Sequence, residues 1–259
     1  MKQFILTVPP EDDGTVRLYG GDFHYLARVR RCKAGAELPA RLPNGEAVRF
    51  QISAVKDSYL EGVCLPADSR AADGPAAIVL FQALPKGAKM DMIIRQAAEG
   101  GVQGIVPFVS ERSVPQPRDT AERLERWRRI IREARQQSGS PASTEIAPPR
   151  GLPDLLAYWE GLKARQRRAL GLLLHQAPLA QGAFHGYLSG YPELIAALVG
   201  PEGGFSPREV ACFTAAGFKT VTMGNTILRT ETAALYAVAS IRIILLENAW
   251  WTPRIPGRQ

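Results

Sequence analysis

Cysteine is scarce in this chain of 259 residues: Cys32, Cys64 and Cys212 are its three, widely separated. They are too few and too scattered for a disulfide framework, and no C-x-x-C pair or neighbouring histidine offers a zinc site. Three reduced thiols are expected. Histidine is equally sparse, and His24, His175 and His185 lack partner spacing, so each reads by itself as a structural or surface residue. Long apolar runs are missing. The stretch 193–200 ends in Gly-Pro, and nothing approaches the ~18–20 residues of a membrane helix. The start, MKQFILTVPPEDDG, is too short in apolar residues for the core of a signal peptide. A soluble cytosolic protein is therefore expected. Acidic residues are also in deficit, 25 against 32 Lys+Arg, for a net charge of +7. With 46% apolar and 22% charged residues the composition is globular, which excludes a largely disordered chain. The length suits one large domain or two smaller ones.

The basic excess is clustered. Arg28, Arg30, Arg31 and Lys33 form one group. Arg118, Arg123, Arg126, Arg128, Arg129, Arg132 and Arg135 form a second, and Lys163, Arg165, Arg167 and Arg168 a third. Clusters of this kind suit phosphate, because each neutralised phosphate releases a counterion. They point to nucleic acid ahead of a merely solvated surface.

Two rhythms divide the chain. In residues 1–70, FILTV (4–8), TVRLY (15–19), ELPARL (37–42), EAVRFQISAV (46–55) and SYLEGVCL (58–65) have strand composition. Asn44-Gly45 is a hairpin signal, since both residues tolerate the positive φ of the turn. Residues 21–32 are compatible with one helix, and the short strands suggest a small β-barrel. PADSRAADGPAA (66–77) reads as a linker. From 75 to 250 strands and helices alternate. Strands are expected at 77–84, 104–110, 170–175, 193–200 and 219–223, and helices at 89–101, 119–138, 153–164, 206–216 and 230–247. In 119–138, Leu124, Trp127, Ile130, Ile131 and Ala134 make one face and arginines the other. Such alternation implies an α/β domain with a mostly parallel sheet covered on both faces.

Two stretches carry chemistry. Gly200-Pro201-Glu202-Gly203-Gly204-Phe205-Ser206-Pro207-Arg208-Glu209 follows a buried strand and opens a helix. Its glycines leave backbone bare for a ligand. Ser206 and Glu209 make a capping box, with Pro207 at the first helical position. The stretch is neither G-x-G-x-x-G nor a phosphate-binding P-loop. The second, Met223-Gly224-Asn225-Thr226-Ile227-Leu228-Arg229-Thr230-Glu231, is again a glycine turn before a helix. Thr230 fits an N-cap and Glu231 the positive helix terminus. Arg229 has no such explanation, since a cation beside a helix N-terminus is unfavourable unless an anionic group is to be met there.

GPEGGFSPREV and GNTILRTETAAL resemble the C-terminal signature of the 16S rRNA (uracil-N3)-methyltransferase family, in the SPOUT class. Upstream, LFQALPKGAKMDMIIRQAAEGGVQGIVPFVSERSV (80–114), ERWRRIIREARQQSG (125–139) and FHYLARVRRCKAGAEL (23–38) are similar to further family segments in the same order. The resemblance implies a PUA-like barrel that binds RNA over residues 1–70. It also implies a SPOUT α/β methyltransferase domain with a deep trefoil knot over 75–250. The knot loops would hold S-adenosyl-L-methionine through Leu198, Val199, Gly200, Pro201, Glu202, Gly203, Gly204, Met223, Gly224, Asn225, Ile227, Leu228 and Arg229. Two subunits would pair through their knots, and the partner would be 16S rRNA of the small ribosomal subunit.

Uracil N3 carries a proton, so something must accept it, and something must stabilise the charge that spreads onto O2 and O4. By this resemblance Arg229 would stabilise the charge and Glu231 or Glu202 would accept the proton. His24, Arg28, Arg31, Arg95 and Arg112 would contact RNA. The chain departs from the family pattern at Gln3, Tyr25, Gln96, Gly100, Ser140, Gln176 and Thr226, several of them lost polar or basic groups near the expected RNA face. A SPOUT enzyme with another RNA target, and a non-catalytic RNA-binding assembly protein that keeps the fold, are the competing readings.

Overall fold

Period-two alternation in the first 66 residues and continuous apolar strands after residue 76 give two different sheets. The computed structural model describes residues 2–67, 76–113, 120–176, 182–190 and 192–250. Most of the expected linker and Arg118 lie outside these. The chain folds as two compact units, residues 1–72 with 132–143, and residues 73–131 with 144–259.

The first unit is a five-stranded sheet of β1 (Phe4–Ile5), β2 (Thr15–Tyr19), β3 (Glu37–Arg41), β4 (Ala47–Val55) and β5 (Tyr59–Pro66), in the order β1-β3-β4-β5-β2. All neighbours are antiparallel except β1 with β3. Val48, Phe50 and Ile52 alternate inward from β4 and meet Leu18, Leu26, Leu38 and Leu60. The β3–β4 hairpin turns at Asn44-Gly45, with Gly45 at φ 90°. The expected helix at 21–32 is instead α1 (Gly20–Phe23), continued by a π-helical segment, His24–Val29. There the Arg30 N–H donates to the Tyr25 carbonyl, five residues back, at 2.8 Å. A π-turn widens the helix and is frequent at functional sites.

Gln3 is buried at the heart of a polar cluster in this unit. Its amide donates to the carbonyls of Arg135 (3.0 Å) and Ser140 (2.9 Å), and its Oε1 accepts from Arg41 Nε at 2.8 Å. Ser140 is itself buried, and Tyr25 stacks on Phe4 at 6.5 Å. Gln3 and Ser140, read from the sequence as departures from the family pattern, are thus buried packing groups, and Tyr25 is half-buried.

The second unit holds six parallel strands: β6 (Ala77–Ala83), β7 (Gly104–Phe108), β8 (Glu145–Ile146), β9 (Ala169–Leu174), β10 (Leu194–Val199) and β11 (Lys219–Val221), ordered β11-β9-β10-β6-β7-β8. β10 is buried along its whole length, as a central parallel strand covered on both faces must be. The helices are α2 (Lys89–Glu99), α3 (Thr120–Ser138), α4 (Leu152–Lys163), α5 (Phe184–Leu188), α6 (Pro207–Ala215) and α7 (Thr230–Trp250). Strand β8 and helix α5 have no counterpart in the sequence reading; at two and five residues they are too short to show a period. The α3 face of Leu124, Trp127, Ile130, Ile131 and Ala134 is buried as its spacing predicts. Under the sheet, Phe81, Phe108, Phe205, Phe213, Phe218 and Trp159 form an aromatic core.

Gly62 is fixed by its neighbours. A Cβ there would lie 2.6 Å from the Gln51 carbonyl oxygen and 2.6 Å from the Phe50 ring. Gly62→Val should cost about 1–3 kcal/mol, as overpacking does. Thermal unfolding by circular dichroism should show Tm lowered by several degrees; an unchanged Tm would mean that β4 and β5 separate freely.

Candidate active site

Parallel strands carry their ligand sites at their carboxyl ends, and the two glycine turns leave β10 and β11 at that edge. The first is closed by the Gly204 N–H donating to the Pro201 carbonyl at 2.9 Å, with Gly204 at φ 65°. Phe205 anchors it, lying parallel to Phe108 at 6.3 Å and edge-on to Phe213 at 5.3 Å. A Cβ on Gly200 would sit 3.2 Å from the Phe205 ring, so any larger residue would have to push that ring aside. The capping box forms as read. Ser206 Oγ accepts from Glu209 N, and the Glu209 carboxylate accepts from Ser206 N at 2.9 Å. Glu209 also accepts from the Glu111 N–H at 3.0 Å, which draws in the loop after β7. From that loop Arg112 Nη1 donates to the Gly203 carbonyl at 2.8 Å.

The second turn has Gly224 at φ 107° and Ile227 standing 75% exposed. The first α7 hydrogen bond runs from Ala233 N to the Arg229 carbonyl at 2.8 Å, so Arg229 and not Thr230 is the N-cap residue. The Thr230 hydroxyl is used otherwise. It donates to the Gly200 carbonyl at 2.6 Å and accepts from Gln82 Nε2 at 3.1 Å. One buried threonine thus joins the first turn, the second turn and β6.

Between the turns lies a cleft of about 830 Å³. Its wall includes Val199, Gly200, Pro201, Glu202, Gly203, Gly204, Met223, Gly224, Asn225, Ile227, Leu228 and Arg229, which the sequence reading put around one cofactor. Leu198 is the exception: it is fully buried in the aromatic core and is not on the cleft wall. Thr226 and Gln176, two of the departures, are on the wall. Gln96 and Gly100 are on α2 and at its exit; a Cβ at Gly100 would lie 2.8 Å from Val238 Cγ1, so the glycine permits close packing of α2 on α7.

Lys89, a wall residue that the sequence reading missed, stands between two carboxylates. Its Nζ is 2.7 Å from Glu202 Oε1 and 3.7 Å from Glu231 Oε2. The hydrogen bond to Glu202 is the main reason its ammonium is held above the usual 10.5. Burial by itself would raise the Glu202 carboxyl. The bonds from Lys89 and from backbone N–H groups, including that of Lys86, outweigh it and hold the group below 4.5. Glu231 is buried off the cleft wall, and its Oε2 accepts no hydrogen bond. Arg229 is exposed and has no ion pair among the described residues. The only sequence clue to Lys89 was its place at the start of α2 after the Gly87 turn.

The residues expected to meet RNA fall in both units. His24, Arg28 and Arg31 are exposed on the π-helical segment and its exit, with Arg31 at φ 54° and Arg28 over the Phe23 ring at 5.8 Å. Arg95 is exposed on α2, and Arg112 lines the cleft. Among the described residues no group of His, Cys, Asp and Glu could hold a metal, and no helix is long and apolar enough to cross a membrane.

Residues 72–242 match the family of RNA methyltransferase domains, and residues 18–63 match the RNA methyltransferase PUA domain. Ribosomal RNA small subunit methyltransferase E of Synechocystis is 32% identical over 93% of this chain and 77% of its own length. The Bacillus subtilis protein of the same name is 28% identical over 89% and 91%. Among solved structures, a ribosomal RNA small subunit methyltransferase E from Neisseria gonorrhoeae bound to S-adenosyl methionine superposes with a TM-score of 0.78. It is 28% identical and covers 96% of this chain and 98% of that one. A putative methyltransferase from Legionella pneumophila, also with bound cofactor, gives 0.78 at 26% identity, over 93% and 97%. Both halves of the sequence and the fold that unites each half therefore lead to one conclusion: the chain belongs to the ribosomal RNA small subunit methyltransferase E family.

Proposed function

We propose that this chain transfers the methyl group of S-adenosyl-L-methionine to N3 of a uridine in 16S rRNA of the small ribosomal subunit. The observation that carries the reading is the cleft itself, two glycine turns locked together by Thr230 beneath an unpaired arginine. Residues 75–250 would be the knotted transfer domain and residues 1–70 the RNA-binding barrel, in the cytoplasm. The position of β10 between β9 and β6 is compatible with a trefoil crossing.

The wall suits the cofactor. Gly200, Gly203, Gly204 and Gly224 leave its backbone free of side chains, and the volume is of the size a nucleoside-containing ligand needs. The cofactor, when bound, supplies an electrophilic methyl on sulfur, so the protein's task is mainly alignment and charge management. Arg229, at the mouth, is assigned to the negative charge that develops on O2 and O4 once N3 loses its proton. Of the two carboxylates, Glu202 already accepts from Lys86 and Lys89, whereas Glu231 has an oxygen without a hydrogen bond. That oxygen is buried off the cleft wall, so the carboxylate a substrate can touch is Glu202, which is the assigned proton acceptor. The uridine must be unpaired or flipped for N3 to be reached. On α7, Leu235, Tyr236, Ile243 and Leu246 are exposed apolar residues that a second subunit would cover in a homodimer.

Arg229→Ala should slow transfer of labelled methyl to rRNA at saturating cofactor by about 10²-fold, the scale of one lost oxyanion donor. Calorimetry on the variant sets the cofactor concentration that saturates it, and an unchanged rate there would remove Arg229 from the mechanism. The rRNA comes from a strain lacking the modification, and nucleoside mass spectrometry should then find 3-methyluridine. Another methylated nucleoside would point to a different RNA target, and no cofactor binding to an assembly protein.

Glu202→Gln should slow transfer far more than Glu231→Gln. The reverse order would exchange the two assignments.

The Lys89–Glu202 pair has a defined pH window. The lowered Glu202 value gives stability that is complete above about 4.5 and lost as pH falls through the folded value. The raised Lys89 value gives stability that is complete below about 10.5 and lost at higher pH. The Tm difference between wild type and Lys89→Met should thus be constant from about pH 6 to 9 and shrink under acid conditions. A difference that grows on acidification would contradict the pairing.

A further inference from the structure

The first unit contains a second depression, of about 540 Å³, walled by the β3–β4 hairpin, the chain start and the end of α3. Lys2, Arg41 and Arg49 are on its wall, and among the described residues no Asp or Glu is. Arg49 is paired with Glu37 at 3.0 Å, but Lys2 and Arg41 have no ion pair among the described residues. Arg41 is held by neutral oxygens, Gln3 Oε1 and the Gly45 carbonyl, both at 2.8 Å. Beside it Arg135 is only 7% exposed, and its Nε and Nη2 make no hydrogen bond. Ser140 Oγ, equally buried, has no partner either. Burial, and then the neighbouring Arg41, pulls the Arg135 guanidinium below its usual value.

A buried guanidinium without a carboxylate is costly, and a neighbour of the same sign makes it worse. Packing alone would favour an apolar residue there. The uncompensated charge makes sense if an anion completes it.

We propose that this depression is a phosphodiester-binding subsite. An RNA backbone phosphate would lie against Lys2, Arg41 and Arg49, with the field of Arg135 behind them. This rests on the reading of an RNA substrate and adds where the first unit grips it. The recognised chemistry is a tetrahedral phosphate monoanion, not a base, so the subsite would position RNA without selecting sequence.

The test uses the full chain, a single-stranded fragment of small-subunit rRNA, and titrations at several salt concentrations. Arg135→Met and Lys2→Gln should each weaken binding, roughly 3–10-fold at low salt, and each lowers the salt slope by about 0.7 for every phosphate no longer neutralised. Arg135→Met should also raise Tm, because it removes an unpaired buried charge; a merely structural arginine would lower it. Lys2 is exposed, so Lys2→Gln keeps the test open should Arg135→Met fail to fold. Unchanged affinity and slope in both variants would overturn the subsite while leaving methyl transfer intact. A wild type that binds no rRNA fragment would overturn both the subsite and the proposed function. Inorganic phosphate alone separates the sources. If it raises wild-type Tm over chloride at equal ionic strength while the variants bind RNA normally, the site takes free anions and the RNA assignment falls.

Discussion

The cleft depends on one hydrogen bond, from the Thr230 hydroxyl to the Gly200 carbonyl at 2.6 Å. The two turns leave β10 and β11, which are not neighbours in the sheet because β9 lies between them. Backbone pairing cannot hold such turns in register, so a side chain must. Thr230 does this from the first turn of α7, and Gln82 steadies it from β6, a third strand. A hydroxyl can accept from one partner while it donates to another, which is why threonine serves here and valine of the same shape would not. A loss of this bond would leave each turn intact and separate their registers.

Charge is distributed around that link with a clear asymmetry. Lys89 is neutralised by Glu202 and lies near Glu231, whereas Arg229, at the N-terminus of α7, has no acid paired with it among the described residues. A protein at equilibrium with water has little reason to leave an arginine at a helix N-terminus, and the arrangement is intelligible when the charge belongs to a bound reactant. The same reasoning separates Arg112, whose guanidinium is occupied by the Gly203 carbonyl, from Arg229, whose guanidinium is not. Arg112 shapes the turn; Arg229 is left for chemistry.

Much of this was legible in the sequence, for physical reasons. The alternating strands of the first unit, the capping box at Ser206 and the buried face of α3 each follow from a local period or a local hydrogen bond. That two glycine turns share one site came from the family resemblance and not from any local period, and a cleft does lie between them. What was not legible depends on residues far apart in the chain. Lys89 gained its place only when β6 and β10 became neighbours. Thr230 has the composition of an N-cap and lost that role because a carbonyl thirty residues earlier offered a better partner. The segment 21–32 has helical composition, yet the register slips by one residue at Tyr25 and Arg30, which no propensity records.

The departures at Gln3 and Ser140 illustrate the same limit. As isolated letters they read as positive charge removed from an RNA face. In the fold they touch each other, through the Gln3 amide and the Ser140 carbonyl, and the oxygen of that same glutamine holds Arg41. A neutral amide at this point can donate twice and accept once, which an arginine could not, and it thereby fixes a guanidinium that lacks a carboxylate. Positive charge at this place is carried by Arg41 and Arg135. A substitution is interpretable only together with the groups whose hydrogen bonds it completes, and a charge count along the chain would have reached the opposite conclusion about the same two positions.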